Sequence, residues 1–404
     1  MKHPYQRIPA TAHLSLEQIE DFGRELDVMR DEVLASRGEN DRNYILRVIG
    51  TQRRVGVAGR ALIFASILLL PVWGHAWASL TGFWLALGAG VLCLALAKIL
   101  ENMEVGHNVL HGQWDWMKDP NIQSSTWEWN HGCPSDQWMH SHNVVHHTWT
   151  NVMGRDRDIG YGMLRVTAKQ RWHPFYLLQP LNFLLMGLLF EWFIALHDLE
   201  INRLLAGKKD KREAQTQWRA IKRKVGLQSL KDAVLWPLLG TALAAPFALA
   251  GMGPSLLAVF GIILAANIVA NVLRNLWTFA VIFCGHFPAD VHHFPPSVVE
   301  NETRAQWYLR QMLGSCNIRG SKLFHVLTGN LSHQIEHHLF PDLPSNRYPE
   351  LAPRVEALAR RYGLPYNSHG FGRQLGTTIA KIMRLSFPTR GRSGGAPAAA
   401  TSRS

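Results

Sequence analysis

Two long stretches without charge dominate the pattern of apolar and polar positions. From Ala61 to Ala97, and again from Ala233 to Leu273, there is no Asp, Glu, Lys or Arg. A helix that crosses the hydrocarbon of a bilayer takes about 20 apolar residues, so each stretch has room for two crossings joined by a tight turn. Turn signals stand at Gly74-His75-Ala76 with Thr81-Gly82, and at Gly251-Met252-Gly253-Pro254. The pattern predicts an all-α integral membrane protein with four transmembrane helices, paired as hairpins over about 57–103 and 233–284.

Outside those runs the periodicity changes. Leu16, Ile19, Phe22, Leu26, Met29 and Val33 recur at helical spacing between Leu14 and Ala35, with Ser15 and Gln18 as a capping box. They predict an amphipathic helix in a cytoplasmic segment, 1–54, lying on the membrane surface or on the rest of the protein. Residues 1–12 read as disordered. The uncharged stretch Phe175–Phe190 holds Pro180 and is followed by Glu191. It predicts an interfacial or half-inserted helix, since a fifth crossing would set the first and last histidine clusters on opposite sides of the membrane. The last crossing carries Asn267, Asn271 and Asn275 on one face, with Arg274. Helix-to-helix hydrogen bonding and a role near a site are both open for them. The membrane domain is expected over 55–387 with a cytoplasmic helical cap, and 388–404 reads as a disordered tail.

A mean hydropathy of −0.06 hides this segregation. The net charge is +12, and its placement decides what it means. The hairpin turns carry no Lys or Arg, whereas Lys208-Lys209-Asp210-Lys211-Arg212 and Lys222-Arg223-Lys224 flank the second run. That is the positive-inside bias of a protein in the inner (cytoplasmic) membrane with both termini in the cytoplasm. The basic surplus is topology and contact with anionic lipid, with a smaller share for a phosphate-bearing substrate; it excludes nucleic acid as a partner. Cys93, Cys133, Cys284 and Cys316 are far apart and form no CxxC pair, which fits reduced thiols. The polar N-terminus reads as having no cleavable signal.

The chemistry lies in three histidine clusters: His107-Asn108-Val109-Leu110-His111, His142-Asn143-Val144-Val145-His146-His147 and His333-Gln334-Ile335-Glu336-His337-His338. His107 and His111, four apart, share one face of a helix. The second and third clusters repeat one pattern of His, amide, two residues and a His pair. All three are expected just beyond the hairpins on one side. Neutral imidazole suits first-row transition metals. There is no HExxH, against a zinc protease, and few carboxylates, against calcium or magnesium. So many nitrogen donors fit two irons better than one structural zinc.

The boxes, their order and their placement resemble the membrane fatty acid desaturases, over about Asn43 to Gly370. His140-Ser141-His142-Asn143-Val144-Val145-His146-His147-Thr148 and Gln334-Ile335-Glu336-His337-His338-Leu339-Phe340-Pro341 look like the bacterial acyl-CoA and acyl-lipid branch. They are also similar to the front-end desaturases, without the His-Pro-Gly-Gly haem motif of a fused cytochrome b5 domain. The resemblance implies oxygen-dependent desaturation of a long-chain acyl group, CoA- or phospholipid-linked, with a Δ9 saturated acyl-CoA suggested by the bacterial branch. It implies two non-haem irons, O2 as co-substrate, and electrons from an external ferredoxin or flavin reductase. The implied ligands are His107, His111, His142, His146, His147, His337 and His338. A further isolated ligand is best met by His286, with His292 and His293 as rivals. Related third boxes often begin with His where Gln334 stands, so His333 and Gln334 compete for that position, and His333 is taken as the ligand. Asp156, Asp158 and Glu336 are the expected orienting partners. The alternatives are a diiron hydroxylase of alkyl or acyl chains, and a non-catalytic membrane electron carrier or metal transporter.

Overall fold

A computed structural model describes residues 3–389; the expected tail, from residue 390 onward, lies outside the described residues. The principal helices of the first half are α1 (Leu16–Ser36), α2 (Glu39–Ile67), α3 (Leu80–Leu110), α4 (Ser135–Met139), α5 (Gln179–Leu188) and α6 (Phe190–Asp198). Those of the second half are α7 (Lys211–Leu249), α8 (Leu256–His286), α9 (Arg304–Leu313), α10 (Gln334–Leu339), α11 (Tyr348–Arg361) and α12 (Phe371–Leu385). The fold is helical apart from one short parallel pair, β1 (Asn317–Arg319) with β2 (Ser368–Gly370), in which Asn317 stands opposite Ser368.

By length and composition α3, α7 and α8 can each cross a membrane. The segments Pro174–Leu188 and Phe190–Leu205, bent by 101°, would make a fourth if they form one span. The expected first crossing differs. α2 stops at Ile67 and carries Arg53, Arg54 and Arg60, so its uncharged part is short. Irregular chain follows, with Gly74 in the left-handed region at φ 69°. α2 nevertheless packs along α3. Their backbones nearly touch at Gly59 and Gly90, where a Cβ would come within 2.7 Å of Leu94 N and 2.9 Å of Ile63 N respectively. At the second turn Gly251 and Gly253 are both left-handed, at φ 73° and 75°, and α7 then packs along α8.

The break after α5 explains the uncharged stretch at 175–190. Leu189 leaves helical geometry at φ −113°, and Asn275 Nδ2 donates to the freed Leu188 carbonyl at 3.0 Å. The other polar groups of α8 tie helices too. Arg274 pairs with Glu191 at 2.6 Å, both fully buried. Asn267 Nδ2 donates to the Asp232 carbonyl at 2.6 Å and its Oδ1 accepts from Arg60. Lys98 Nζ completes this knot on Asp232 at 2.7 Å. Helix tying therefore accounts for Asn267, Arg274 and Asn275.

The cap has its own core, in which Phe22 and Leu26 of α1 meet Leu309 of α9, Phe340, and Val355 of α11. α1 thus lies on the protein, and its Ser15 capping box closes at 3.1 and 2.8 Å. Residues 3–12 are ordered, contrary to expectation. Tyr5 is fully buried and its hydroxyl donates to Glu302, while Thr11 Oγ1 donates to the Tyr5 carbonyl at 2.5 Å. One aromatic anchor and its carboxylate partner offset the entropy of ordering the arm.

Candidate metal centre

The three clusters are carried by different elements that end on the same buried point. α3 does not stop at Leu100: it continues through a π-helical turn, Glu101–His107, and one α-turn, Asn108–Leu110. α4 likewise runs into a π-helical turn, His140–His146. Such turns add a residue per turn and re-aim side chains, and they recur at functional sites. His286 is the last residue of α8, and His337 and His338 sit on the short buried helix α10.

Eight of the nine histidines named from the sequence converge. One nitrogen from each of His107, His111, His142 and His337 lies within 4.8 Å of the others. A second group at the same limit holds His146, His286 and His338. His147 adjoins both, with its ring 4.9 Å from that of His337 and 4.3 Å from that of His338. Bare nitrogens face each other: His107 Nε2 and His337 Nε2 at 3.4 Å, His286 Nε2 and His338 Nε2 at 3.3 Å.

His111 Nε2, His142 Nε2, both ring nitrogens of His147 and His286 Nδ1 are buried without a partner. An unsatisfied buried polar atom costs about 1–3 kcal/mol, so a knot of them is tolerable only if something else fills their lone pairs. Burial first, and then the neighbouring imidazoles, hold His111, His142, His147, His337 and His338 well below the usual histidine pKa. They are neutral near pH 7, the form that binds metal. The donor set therefore fits two first-row metal ions a short distance apart.

The outward nitrogens are held by buried groups. His146 Nδ1 lies 3.1 and 3.2 Å from the Asp156 carboxylate and 3.7 Å from Asp158. Burial lowers the His146 pKa, but these two carboxylates outweigh it and raise it overall. Asp156 is itself fixed by the Asn151 and Asp158 N–H groups at 2.7 and 2.9 Å. His338 Nδ1 faces Gln311 Oε1 at 3.0 Å and Thr150 Oγ1 at 3.3 Å, and His337 Nδ1 faces the Tyr348 hydroxyl at 3.4 Å. Gln311, Thr150 and Tyr348 carried no local signal in the sequence; the packing of α9 and α11 on α10 brings in Gln311 and Tyr348, and Thr150 comes from the turn just after His147–Trp149.

His333 is not brought to the cluster. Its ring lies 4.5 Å from that of His325, and its Nδ1 is 3.9 Å from Glu336. α10 begins after it, and the residue that turns inward is Gln334, whose Nε2 lies 3.0 Å from His286 Nε2. Gly285 makes the room, because a Cβ there would meet Gln334 Cγ at 3.0 Å. Glu336 faces away from the paired ligands, to Asn317 Nδ2 at 2.8 Å and the Tyr366 hydroxyl at 2.7 Å. His292 and His293 lie outside the cluster, beside Lys169 and the arm at Pro4–Pro9.

A narrow cavity opens beside the histidines. His107, His142, His146, His286 and Gln334 form one wall; Trp129, Trp138, Phe190, Ile194 and Ile282 form much of the rest. The Trp138 ring stacks on His142 at 4.3 Å. Trp129 and Trp138 line the site, while Trp114 is buried in a separate cluster with Val105 and Val109. Asn102, His131, Asp158, Asp198 and Thr278 also line the cavity, so it sets aromatic and aliphatic side chains against the histidines and a band of other polar groups.

Comparison with known proteins agrees with this geometry. Residues 82–370 match the family model described as fatty acid desaturase. The chain is 44% identical to the NADPH-dependent stearoyl-CoA 9-desaturase of Mycobacterium tuberculosis (strain ATCC 25618 / H37Rv), over 94% of this chain and 82% of that one. It is 27% identical to the sn-1 linoleoyl-lipid 6-desaturase of Synechocystis, over 69% of this chain and 74% of that one. It is also 31% identical to the human fatty acid desaturase 3, over 26% of this chain and 22% of that one.

Proposed function

Because the chain belongs to the fatty acid desaturase family, and is on that ground an enzyme that desaturates acyl chains, we propose that its substrate is a saturated long-chain acyl-CoA. The mycobacterial relative is named for stearoyl-CoA and position 9, and the same position is the first to test here. The observation that carries the reading is the convergence of eight histidines, six of them buried and several with unpartnered nitrogens, beside a cavity that four of them line together with Trp129, Trp138, Phe190 and Ile282.

On this reading His107, His111, His142 and His337 hold one iron, and His146, His286 and His338 the other, with His147 between them and Gln334 beside His286. Two irons bound there would supply the oxygen activation that cleavage of an unactivated C–H bond requires. The protein's part is positioning. Asp156 keeps the Nδ1 proton of His146 and so leaves Nε2 for metal; Gln311 and Thr150 do the same for His338. Trp129, Trp138, Phe190 and Ile282 hold the methylenes in line and keep bulk water out. Regiochemistry follows from where the cavity stops, since an alkyl chain offers no polar handle at the reacting carbons.

Four crossings in two hairpins, with the centre and both termini cytoplasmic, are the topology this reading requires. What supports it is that His107 and His286 stand at the polar ends of α3 and α8, on the side where the basic segments lie. Electrons then come from an external ferredoxin or flavin reductase, in keeping with the NADPH in the relative's name. The test is expression with a reductase, followed by mass-spectrometric location of double bonds in the acyl chains. New monounsaturated chains are expected; hydroxylated chains with no new double bond would overturn the reading.

A further inference from the structure

Conversion of –CH2–CH2– to –CH=CH– releases two electrons and two protons, whereas reduction of O2 to two waters takes four of each. Two electrons and two protons must therefore reach the buried centre from outside in every turnover, and a donor must be oxidised to supply them. This inference rests on the desaturase reading above.

One surface groove, of about 390 Å³, comes to the centre in two steps. His197 lines it, together with Arg157, Tyr161, Phe193, Asn202 and Arg203. His197 Nε2 lies 3.2 Å from Asp158 Oδ1, and Asp158 Oδ2 lies 3.7 Å from His146 Nδ1. The chain from surface to metal ligand is thus groove, His197, Asp158, His146.

The groove's lip is basic and held by ion pairs. Glu200 faces three cations, Arg157 at 2.5 Å, Arg203 at 2.9 Å and Lys209 at 3.2 Å, and Glu213 lies 3.8 Å from Lys209, so the cluster keeps a net positive charge and its positions are fixed. The adjoining stretch 201–224 adds Lys208, Lys211, Arg212, Arg219, Lys222 and Arg223, all exposed, against only Asp210 and Glu213. Anionic lipid alone would account for scattered basic residues. It does not account for a basic rim around an opening whose floor is one carboxylate from a metal ligand.

We propose that the groove floored by His197 and rimmed by Arg157 and Arg203, with the exposed basic stretch that begins at Lys208 beside it, is the docking surface for an acidic one-electron carrier protein that feeds the centre. Complementary charge sets the rate and register of such encounters and makes them depend on salt.

The test uses the full-length, iron-loaded enzyme in nanodiscs of neutral phosphatidylcholine, with a purified acidic ferredoxin kept reduced by its NADPH-dependent reductase. Arg203→Glu/Lys208→Glu is expected to raise the KM for ferredoxin about tenfold at low salt, with the gap closing at high salt. Turnover driven by dithionite, which needs no docking, should stay at the wild-type value. An unchanged ferredoxin KM overturns the proposal, as does an equal loss of dithionite-driven turnover. If the reversal weakens only the binding of protein to anionic vesicles, the surface belongs to lipid and the proposal falls. A wild-type enzyme that forms no double bond with either reductant fails the desaturase reading itself, and removes the premise.

Discussion

At the scale of single residues, the third histidine cluster is the sharpest case. His333 and Gln334 are neighbours, but helix α10 begins between them, so one side chain turns to His325 and the other to His286. His333→Ala is expected to keep its iron and to lose less than about threefold in turnover, whereas His337→Ala loses both iron and activity. Iron content by elemental analysis, with turnover measured alongside, checks the pair; iron loss in His333→Ala would remove Gln334 from its assigned place. Asp156 gives a second case. Its carboxylate orients His146 and sets which nitrogen carries the proton. Asp156→Asn keeps the shape and removes the charge, and the expected cost is about 10–100-fold in metal affinity or activity. Far-ultraviolet circular dichroism should show an unchanged helix content.

At the scale of elements, the site depends on helices that approach closely or end in unusual ways. α2 and α3 meet at Gly59 and Gly90, where a Cβ would meet backbone atoms that cannot yield as a flexible side chain can. Gly59→Ala is expected to destabilise the detergent-solubilised protein by about 1–3 kcal/mol, read as a lower thermal midpoint. A midpoint equal to the wild type would mean that α2 can slide on α3 without cost. The π-helical turns at Glu101–His107 and His140–His146 belong to the same scale. Spacing placed His107 and His111 on one face, which held, with ring centroids 4.8 Å apart. It carried no sign of the extra residue in the turn, because a π-turn is stabilised by what it aims at and not by local propensity.

At the scale of the whole molecule, the cap is clamped to the start of the membrane helices. Arg347, just before α11, grips Asp41 at the start of α2 through Nε at 2.6 Å and Nη2 at 2.8 Å. Burial alone would raise the Asp41 carboxyl pKa; the bonds from Arg347 and Asn346 outweigh it and hold it below the usual carboxylate value. The folded pKa is depressed, so this contribution is complete above the unfolded value of about 4 and fades as pH falls through the folded one. Asp41→Asn should therefore lower the thermal midpoint at pH 7, with a loss of about 1.5–3 kcal/mol, and the gap to the wild type should narrow below pH 4. A gap independent of pH would show that the charge is not what holds the clamp.

The sequence by itself pointed to the family and to a mostly helical membrane architecture. The histidine boxes mark the family, and uncharged runs make helices apolar enough to cross a bilayer, because both follow from local composition and period. The tertiary structure decided what depends on contacts far apart in the chain. It ordered the N-terminal arm through Tyr5 and Glu302, which a reading by composition treats as disordered. It shortened the first apolar helix at Ile67 and assigned Asn267 and Asn275 of α8 to tying helices. It also set Gln334 and not His333 beside His286, since which side chain turns inward depends on where α10 starts and on the room left by Gly285. Residue type fixes what a side chain can bind; only the packing of its helix fixes whether it arrives.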